Sequence, residues 1–580
     1  MATVLYLYWE ADEQPGGSMT MPLASAPDQT RLDVGLSPQQ QADWHHLDEG
    51  SGFIPLSFFY ALKDAESGRP FIEALPRFGL VPDPDNDLGL PIGFTAATLP
   101  TAPNNSLFAG VNCAACHSGQ YNYRGAQLII DGAPNLLDFE NLLDGLVAAV
   151  TKTVESPAAL LDMVHAISLW ERRLSSQSQL LALHPDTQQL LGDIVRADDS
   201  HPLAAVKQGL QQGLHQAYHT TTAESAGQSH PLAATLDHPA LVKHAANASM
   251  LQRLRDDIAT INHDLAFIRS HAERLVTLSE SFKGETVAGP GRADSFDAIW
   301  DLVIQKDAVI AMTAPVSIPQ LFDYANFEWV HWDGNTTAVV ERDYAQAIAL
   351  GADFNPATGD STVIPQAVIT LEQTAHHLTA PRWPETILGT IDQTKAGRGA
   401  DLFMSHCAEC HSSETLTPIA EVGTDPNRAL NFAKLQHDGK SYAELLAELG
   451  NTVVSVSLAK HNMDPADMAG IEHSDAPGWR ITNAYHARTL VGIWASAPYL
   501  HNGSVPTLRD LLEPAASRPT QFLVGRELDP VKVGIDSARQ PDSAWTFNID
   551  EEGNSNQGHE YGIDLSNPDK EDLIEYLKTL

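Results

Sequence analysis

Cys113-Ala114-Ala115-Cys116-His117 and Cys407-Ala408-Glu409-Cys410-His411 are one five-residue pattern written twice, and together they use all four cysteines of a 580-residue chain. In C-x-x-C-H the two thiols add across the vinyl groups of one porphyrin, and the adjoining histidine becomes the proximal ligand of its iron. A redox C-x-x-C or half of a zinc site has no need of the following histidine. Neither accounts for two copies with no cysteine left over. The pattern predicts two covalently bound c-type haems, with His117 and His411 as proximal ligands.

Working outward, the first motif lies between Gly110-Val111-Asn112 and Ser118-Gly119-Gln120, ahead of the turn-rich Asp131-Gly132-Ala133-Pro134-Asn135. The second follows Lys395 to Phe403, read as a short amphipathic helix with Leu402 and Phe403 inward. From about Asp138 to Phe282 the apolar residues recur at helical spacing: Leu142, Leu143, Leu146, Val147 and Val150, then Leu251, Leu254, Ile258 and Ile261. Among the histidines there (His215, His219, His230, His238, His244), His215 and His219 alone stand at i, i+4, and on a polar helix they read as a solvated face. The closing segment is a well-marked helix: Ser566 or Asn567 caps it, Pro568 suits its first turn, and Leu573, Ile574 and Leu577 form its buried stripe.

A chain of 62.8 kDa exceeds the size of one growing core, so two or more domains are expected. The prolines at 381 and 384 mark the boundary. Residues 1–380 then form a first haem domain with a helical insertion at about 150–280, and residues 385–580 a second. The expected class is mainly α: two c-type cytochrome-like haem domains with long helical and loop insertions and few short β-hairpins.

The net charge of −39, with 74 acidic against 35 basic residues, excludes nucleic acid and anionic membrane as partners, since both require a basic surface. It suits either plain solubility or attraction of a small basic electron-donor protein. No run of about 18 apolar residues is present, so no membrane span is expected. Val4 to Trp9 is apolar but too short for a signal peptide. Covalent haem attachment normally takes place outside the bacterial cytoplasm, so the expected location is periplasmic or secreted, with the export signal absent from this sequence.

Several strings beyond the motifs resemble the bacterial dihaem cytochrome c peroxidase and MauG superfamily, nearest to rubber oxygenase A-like proteins. They are Leu47-Asp48-Glu49-Gly50-Ser51, Gly110 to Gly119, Gly289-Pro290-Gly291-Arg292, Val330 to Asn335, Gly492 to Ser504 and Gly553 to Glu560. The string Ala497-Pro498-Tyr499-Leu500-His501-Asn502-Gly503-Ser504 is specific to the superfamily; the Gly558-His559-Glu560 string points to the rubber-oxygenase-like branch.

The sixth coordination position separates an electron-transfer haem, saturated by a second protein ligand, from a reactive one. For the second haem the residues offer Met463, Met468, His501 and His559. The resemblance favours His559 as distal ligand and places His501 beside the haem. Bis-histidine ligation departs from the peroxidases whose high-potential haem uses a methionine. The first haem has no comparably placed second ligand and is expected to be the reactive site.

Its distal pocket is expected from the aromatic stretch between Phe322 and Arg342. Trp332-Asp333-Gly334 resembles the pocket-forming stretch of the superfamily. Glu341 falls near where the peroxidases place a proton-moving acid. Phe322 or Phe327 over the iron would instead make a dry, apolar pocket suited to dioxygen and a hydrocarbon. Trp332 and Trp494 are candidate electron relays. The resemblance implies a haem oxidoreductase acting on dioxygen or hydrogen peroxide. Its oxygenase form cleaves C=C bonds of a hydrophobic, isoprenoid-like substrate, and its peroxidase form reduces hydrogen peroxide with electrons from a small donor. A non-catalytic dihaem electron carrier is the other alternative. The MauG-like group is marked by a Tyr-ligated second haem, for which this sequence has no positive marker.

Overall fold

The structure, a computed structural model, describes residues 29–98, 106–174, 180–181, 183–219, 235–245, 248–304, 312–412, 415–468, 471–474 and 477–580. Val4 to Trp9 and His230 lie outside them. The described chain is about half helical with some short strands. Among the described residues no helix is long and apolar enough to cross a membrane.

Two small sheets frame the first motif. Strand Leu107–Val111 runs antiparallel to both Ile54–Pro55 and Phe94–Thr98 and leads into the motif helix Cys113–His117. The chain leaves that helix through strand Ser118–Tyr123, which pairs antiparallel with Ala126–Asp131. Arg124 and Gly125 turn this hairpin with both φ angles positive (50° and 89°), the two-residue geometry that matches strand twist. Strand Gln29–Arg31 adds to Ala126–Asp131 in parallel. A parallel pair needs a long crossover, so this sheet is more than a hairpin. Thr415–Pro418 pairs antiparallel with the distant Ala484–Ala487.

A helical layer follows. Helix Phe139–Glu155, capped by Asp138, buries Leu142, Leu143, Leu146 and Val150. Helix Ala248–Ser281 packs on it and buries Leu254, Ile258, Ile261, Leu265 and Ile268. The helical spacing of the sequence is therefore real: it is the buried stripe of amphipathic helices.

In the second half, helix Gln393–His406 stops at Cys407, and the short helix Ala408–His411 carries the rest of the motif. The terminal helix Asn567–Leu577, capped by Ser566, lies against Gln393–His406. A Cβ on Gly399 would stand 2.0 Å from Asp572 O, so glycine is what lets the two backbones meet. Arg398 Nη2 donates to Asp572 Oδ1 at 2.7 Å beside that contact, and Phe403 packs on Tyr576. One apolar cluster joins Val34, Trp44 and Leu128 to Trp494, Phe547 and Leu577; another joins Phe53 and Leu142 to Phe432 and Tyr442. The cores thus run across the 380–385 segment.

Candidate haem sites

Asn112 builds the first motif. Its Oδ1 accepts from Ala114 N (3.0 Å), capping the helix, and its Nδ2 donates to Trp44 O (3.0 Å) and Leu47 O (2.9 Å). The turn-rich stretch after the hairpin satisfies the other end: Gly132 N donates to His117 O and Asn135 N to Cys116 O. Asn135 Nδ2 donates to Ala115 O at 2.8 Å. Both ends of a five-residue helix are thereby held by side-chain or backbone partners.

The proximal histidines have matching environments. His117 Nδ1 donates to Pro319 O at 3.0 Å, and His411 Nδ1 donates to Arg488 O at 2.6 Å. A carbonyl on Nδ1 fixes the tautomer and turns a bare Nε2 toward a metal. Burial holds His117 neutral, its pKa pushed down to about 3, and lowers that of His411 as well. All four cysteines are half-buried and none is paired in a disulfide. Two thiols three residues apart on each motif, with a neutral imidazole beside them, fit a covalent haem at each site.

The second site is completed from the far end of the chain. The rings of His411 and His559 lie opposite each other, tilted 55° between planes, with centroids 6.2 Å apart. Two imidazoles bound through nitrogens about 2 Å to either side of one metal have centroids about 6 Å apart, so the spacing fits an iron between them. Gly558 makes this approach: with φ 74°, a Cβ there would lie 2.2 Å from Gly423 C. His559 itself has φ 47°, and its N–H donates to Val422 O. Its Nδ1 is buried without a hydrogen-bond partner. Burial, then repulsion from His411, lowers the His559 pKa to about 4.

The loop bearing His559 is pinned on two sides. Arg518 donates to Asn556 O (2.6 Å), Gly558 O (2.8 Å) and His559 O (3.2 Å). Asn502 Nδ2 donates to Gly553 O and Ser555 O, both at 2.9 Å, and Ser504 Oγ to Ser555 O. The Tyr499-to-Ser504 string thus anchors the ligand loop. His501 stacks on Tyr485 (centroids 4.1 Å, 23° between planes) and lines the same cavity as Cys407, Cys410, His411 and His559. Met463 and Met468 pack elsewhere, against the cluster of Val340, Ile348 and Leu458.

No ring stands opposite His117 among the described residues in the way His559 stands opposite His411. Around this site lies a cluster that the motif reading did not single out. Glu49 is buried with Oε2 3.5 Å from Cys113 Sγ and Oε1 unpartnered. Burial, with Asp343 and Asp48 adding repulsion, pushes its carboxyl up to about 8. A thioether at Cys113 removes the thiol donor and leaves Glu49 still less solvated as an anion. Arg342 pairs with Asp343 and Glu372, and Tyr324 donates to Glu372 Oε1 at 3.4 Å. Glu49 was in the quoted Leu47-to-Ser51 string, but nothing in its spacing marks a buried acid.

The four distal-pocket candidates divide. Phe327 and Trp332 gather under the Arg488 guanidinium, 4.9 and 5.8 Å from their ring centroids. Trp332 also lines the second cavity, with Nε1 donating to Ser317 O at 2.7 Å. Phe322 fills the space between Gly132 and Gly492; a Cβ on Gly492 would stand 2.3 Å from its ring. Glu341 accepts from Trp479 Nε1 at 2.9 Å and lies against Gly450, between two helices. Trp494 is fully buried, its Nε1 donating to Pro381 O.

Arg488 connects the two sites. Its carbonyl accepts from His411, and its Nη2 donates to Gln320 O at 2.7 Å, one residue from the carbonyl that accepts from His117. One residue therefore touches the backbone that orients each proximal ligand.

Residues 484–523, which form one wall of the second cavity, match the family described as RoxA-like, cytochrome c-like, which suggests haem binding there. That match supports a RoxA-like dihaem relationship. Two curated relatives come from Sinorhizobium fredii (strain NBRC 101917 / NGR234). Uncharacterized protein y4iJ is 25% identical, with 95% of this chain and 93% of that one covered. Uncharacterized protein y4iM is 30% identical over 45% of this chain and 64% of its own length.

Proposed function

We propose that the protein is an exported dihaem c-type oxidoreductase that activates dioxygen or peroxide at the His117 site and moves electrons through the His411/His559 site. Its nearest functional type is a rubber oxygenase A-like dioxygenase cleaving C=C bonds of an isoprenoid-like substrate. The reading rests on one asymmetry: a histidine 6.2 Å across from His411 and none across from His117 among the described residues. Residues 1–380 would carry the reactive haem and 385–580 the electron-transfer haem.

A haem held by Cys113, Cys116 and His117 would supply the oxygen chemistry; the chain supplies the geometry. Neutral His117, held by Pro319 O, presents Nε2 in one orientation. Asn112 and Asn135 keep the two cysteines on a fixed helix. Arg488, between the carbonyl on His411 and the Pro319-Gln320 segment, gives a short hydrogen-bonded path between the sites. Phe327 and Trp332 beside it keep that path out of water.

A second reading, reduction of hydrogen peroxide, is favoured by Glu49. A buried carboxyl that keeps its proton to about pH 8 beside Cys113 can deliver a proton near the reactive haem. EPR of the purified protein tests the shared premise: one high-spin and one low-spin haem are expected, and two low-spin haems would overturn both readings. Incubation with oxygen and polyisoprene, against peroxide and a reduced small cytochrome, separates them. Oxygen-dependent aldehyde or ketone formation without peroxide consumption marks the oxygenase.

A further inference from the structure

At the carboxyl end of helix Pro38–His46, three side chains outside both haem sites aim ligand atoms at one point. His45 Nδ1 lies 3.6 Å from Asp83 Oδ2, and His46 Nε2 lies 2.9 Å from the same oxygen. The three atoms all fall within 4.8 Å of one another. Tetrahedral ligands bound at the usual zinc distances stand about 3.3 Å apart, between the two measured spacings.

The far side of each group is already held. His45 Nε2 is 2.9 Å from Asp131 Oδ1, His46 Nδ1 is 2.9 Å from Phe94 O, and Asp83 Oδ1 accepts from Arg31 Nη2 at 2.7 Å. A carboxylate or carbonyl behind each imidazole is the arrangement that fixes the tautomer and orientation of metal-bound histidine. Without an ion, burial lowers the His45 pKa but Asp131 and Asp83 outweigh it and raise it to about 9, so a cation at Nδ1 displaces a proton. With both histidines then neutral, Asp83, Asp85 and Asp131 face Arg31, and one divalent cation cancels the remaining negative charge.

The geometry points to a third metal centre, a divalent transition cation such as Zn2+ held by His45 Nδ1, His46 Nε2 and Asp83 Oδ2, with water completing its shell. His46, with its side chain 22% exposed, gives the ion a way in. Its role is structural. Asp131 Oδ1 also accepts from Ser118 Oγ, the residue after His117, and Ser118 Oγ accepts from Trp44 Nε1 at 3.0 Å. Trp44 O and Leu47 O hold Asn112, so the cation would lock the helix end that caps the first haem motif.

The test uses the intact dihaem protein. Metal content is measured by mass spectrometry with haem iron subtracted. After treatment with a chelator, Zn2+ is titrated by calorimetry. One equivalent bound at micromolar or tighter affinity is expected. His46→Gln, which keeps a polar side chain in a partly exposed place, is expected to weaken it by more than about tenfold, since loss of even a group behind a ligand costs about that much. His263→Gln, on an exposed histidine far from the cluster, is expected to leave it unchanged. No stoichiometric Zn2+ uptake by the wild type, equal affinity in His46→Gln, or equal losses in the two variants would overturn the assignment. In each case His45 is instead an imidazolium shared by Asp83 and Asp131.

Discussion

The two motif sites share one proximal design and part company on the other face. In each, a backbone carbonyl takes the Nδ1 proton of the motif histidine, at Pro319 for the first and Arg488 for the second. Across from His411 a Gly-rich loop delivers His559. Across from His117 no described ring plays that part, and the neighbourhood is instead a buried set of charges: Glu49, Arg342, Asp343 and Glu372. The comparison teaches that the C-x-x-C-H pattern fixes where a haem is attached and leaves its task to residues far away in sequence.

The comparison breaks most sharply at His559. His559→Ala should turn the second haem from low to high spin and make the two sites alike, read by EPR and visible absorption. An unchanged spectrum would remove His559 as a ligand. Gly558→Ala should produce much of the same change without touching a ligand, because its Cβ meets Gly423 and its φ is positive. Retention of the full low-spin signal in that variant would show that the loop adapts.

Arg488→Met is subtler. It keeps the carbonyl that holds His411 and removes the donor to Gln320. Electron exchange between the haems should slow by about five- to tenfold, the scale of one lost hydrogen bond of about 1 kcal/mol, while both EPR signals persist. Flash reduction with unaltered exchange kinetics would rule the bridge out.

Glu49 leaves both haem ligations untouched, and it sharpens the chemistry of the first site. An unfolded chain loses this proton near pH 4.5, whereas the folded protein keeps it to about 8. The unfolded state therefore binds fewer protons in that window, and folding stability falls as pH rises through it. Glu49→Gln should abolish that decline, so the stability difference between variant and wild type, measured by denaturant unfolding, grows from pH 5 to pH 8. A constant difference would mean that Glu49 is ionised in the folded state.

Much of this was legible in the sequence because it rests on local pattern. The motifs, the apolar stripes of Phe139–Glu155 and Ala248–Ser281, and the cap and stripe of Asn567–Leu577 depend on spacing within a few residues. His559 was legible through resemblance and through the glycines before it. Arg488 was not, since its part depends on two carbonyls contributed by remote segments. Glu49 and Arg342 look like surface charges until the fold buries them. Phe322 and Glu341 show the converse: an aromatic or an acid in a suggestive stretch was placed by packing, against Gly492 and Gly450 respectively.

The late position of His559 bears on how the second site is assembled. In a chain that emerges amino end first, Cys407, Cys410 and His411 are present long before His559, whereas Trp44, Leu47 and Glu49, which enclose the first motif, precede it. A haem held at the second motif would therefore gain its second histidine last, and the loop that carries His559 would close over a site already filled.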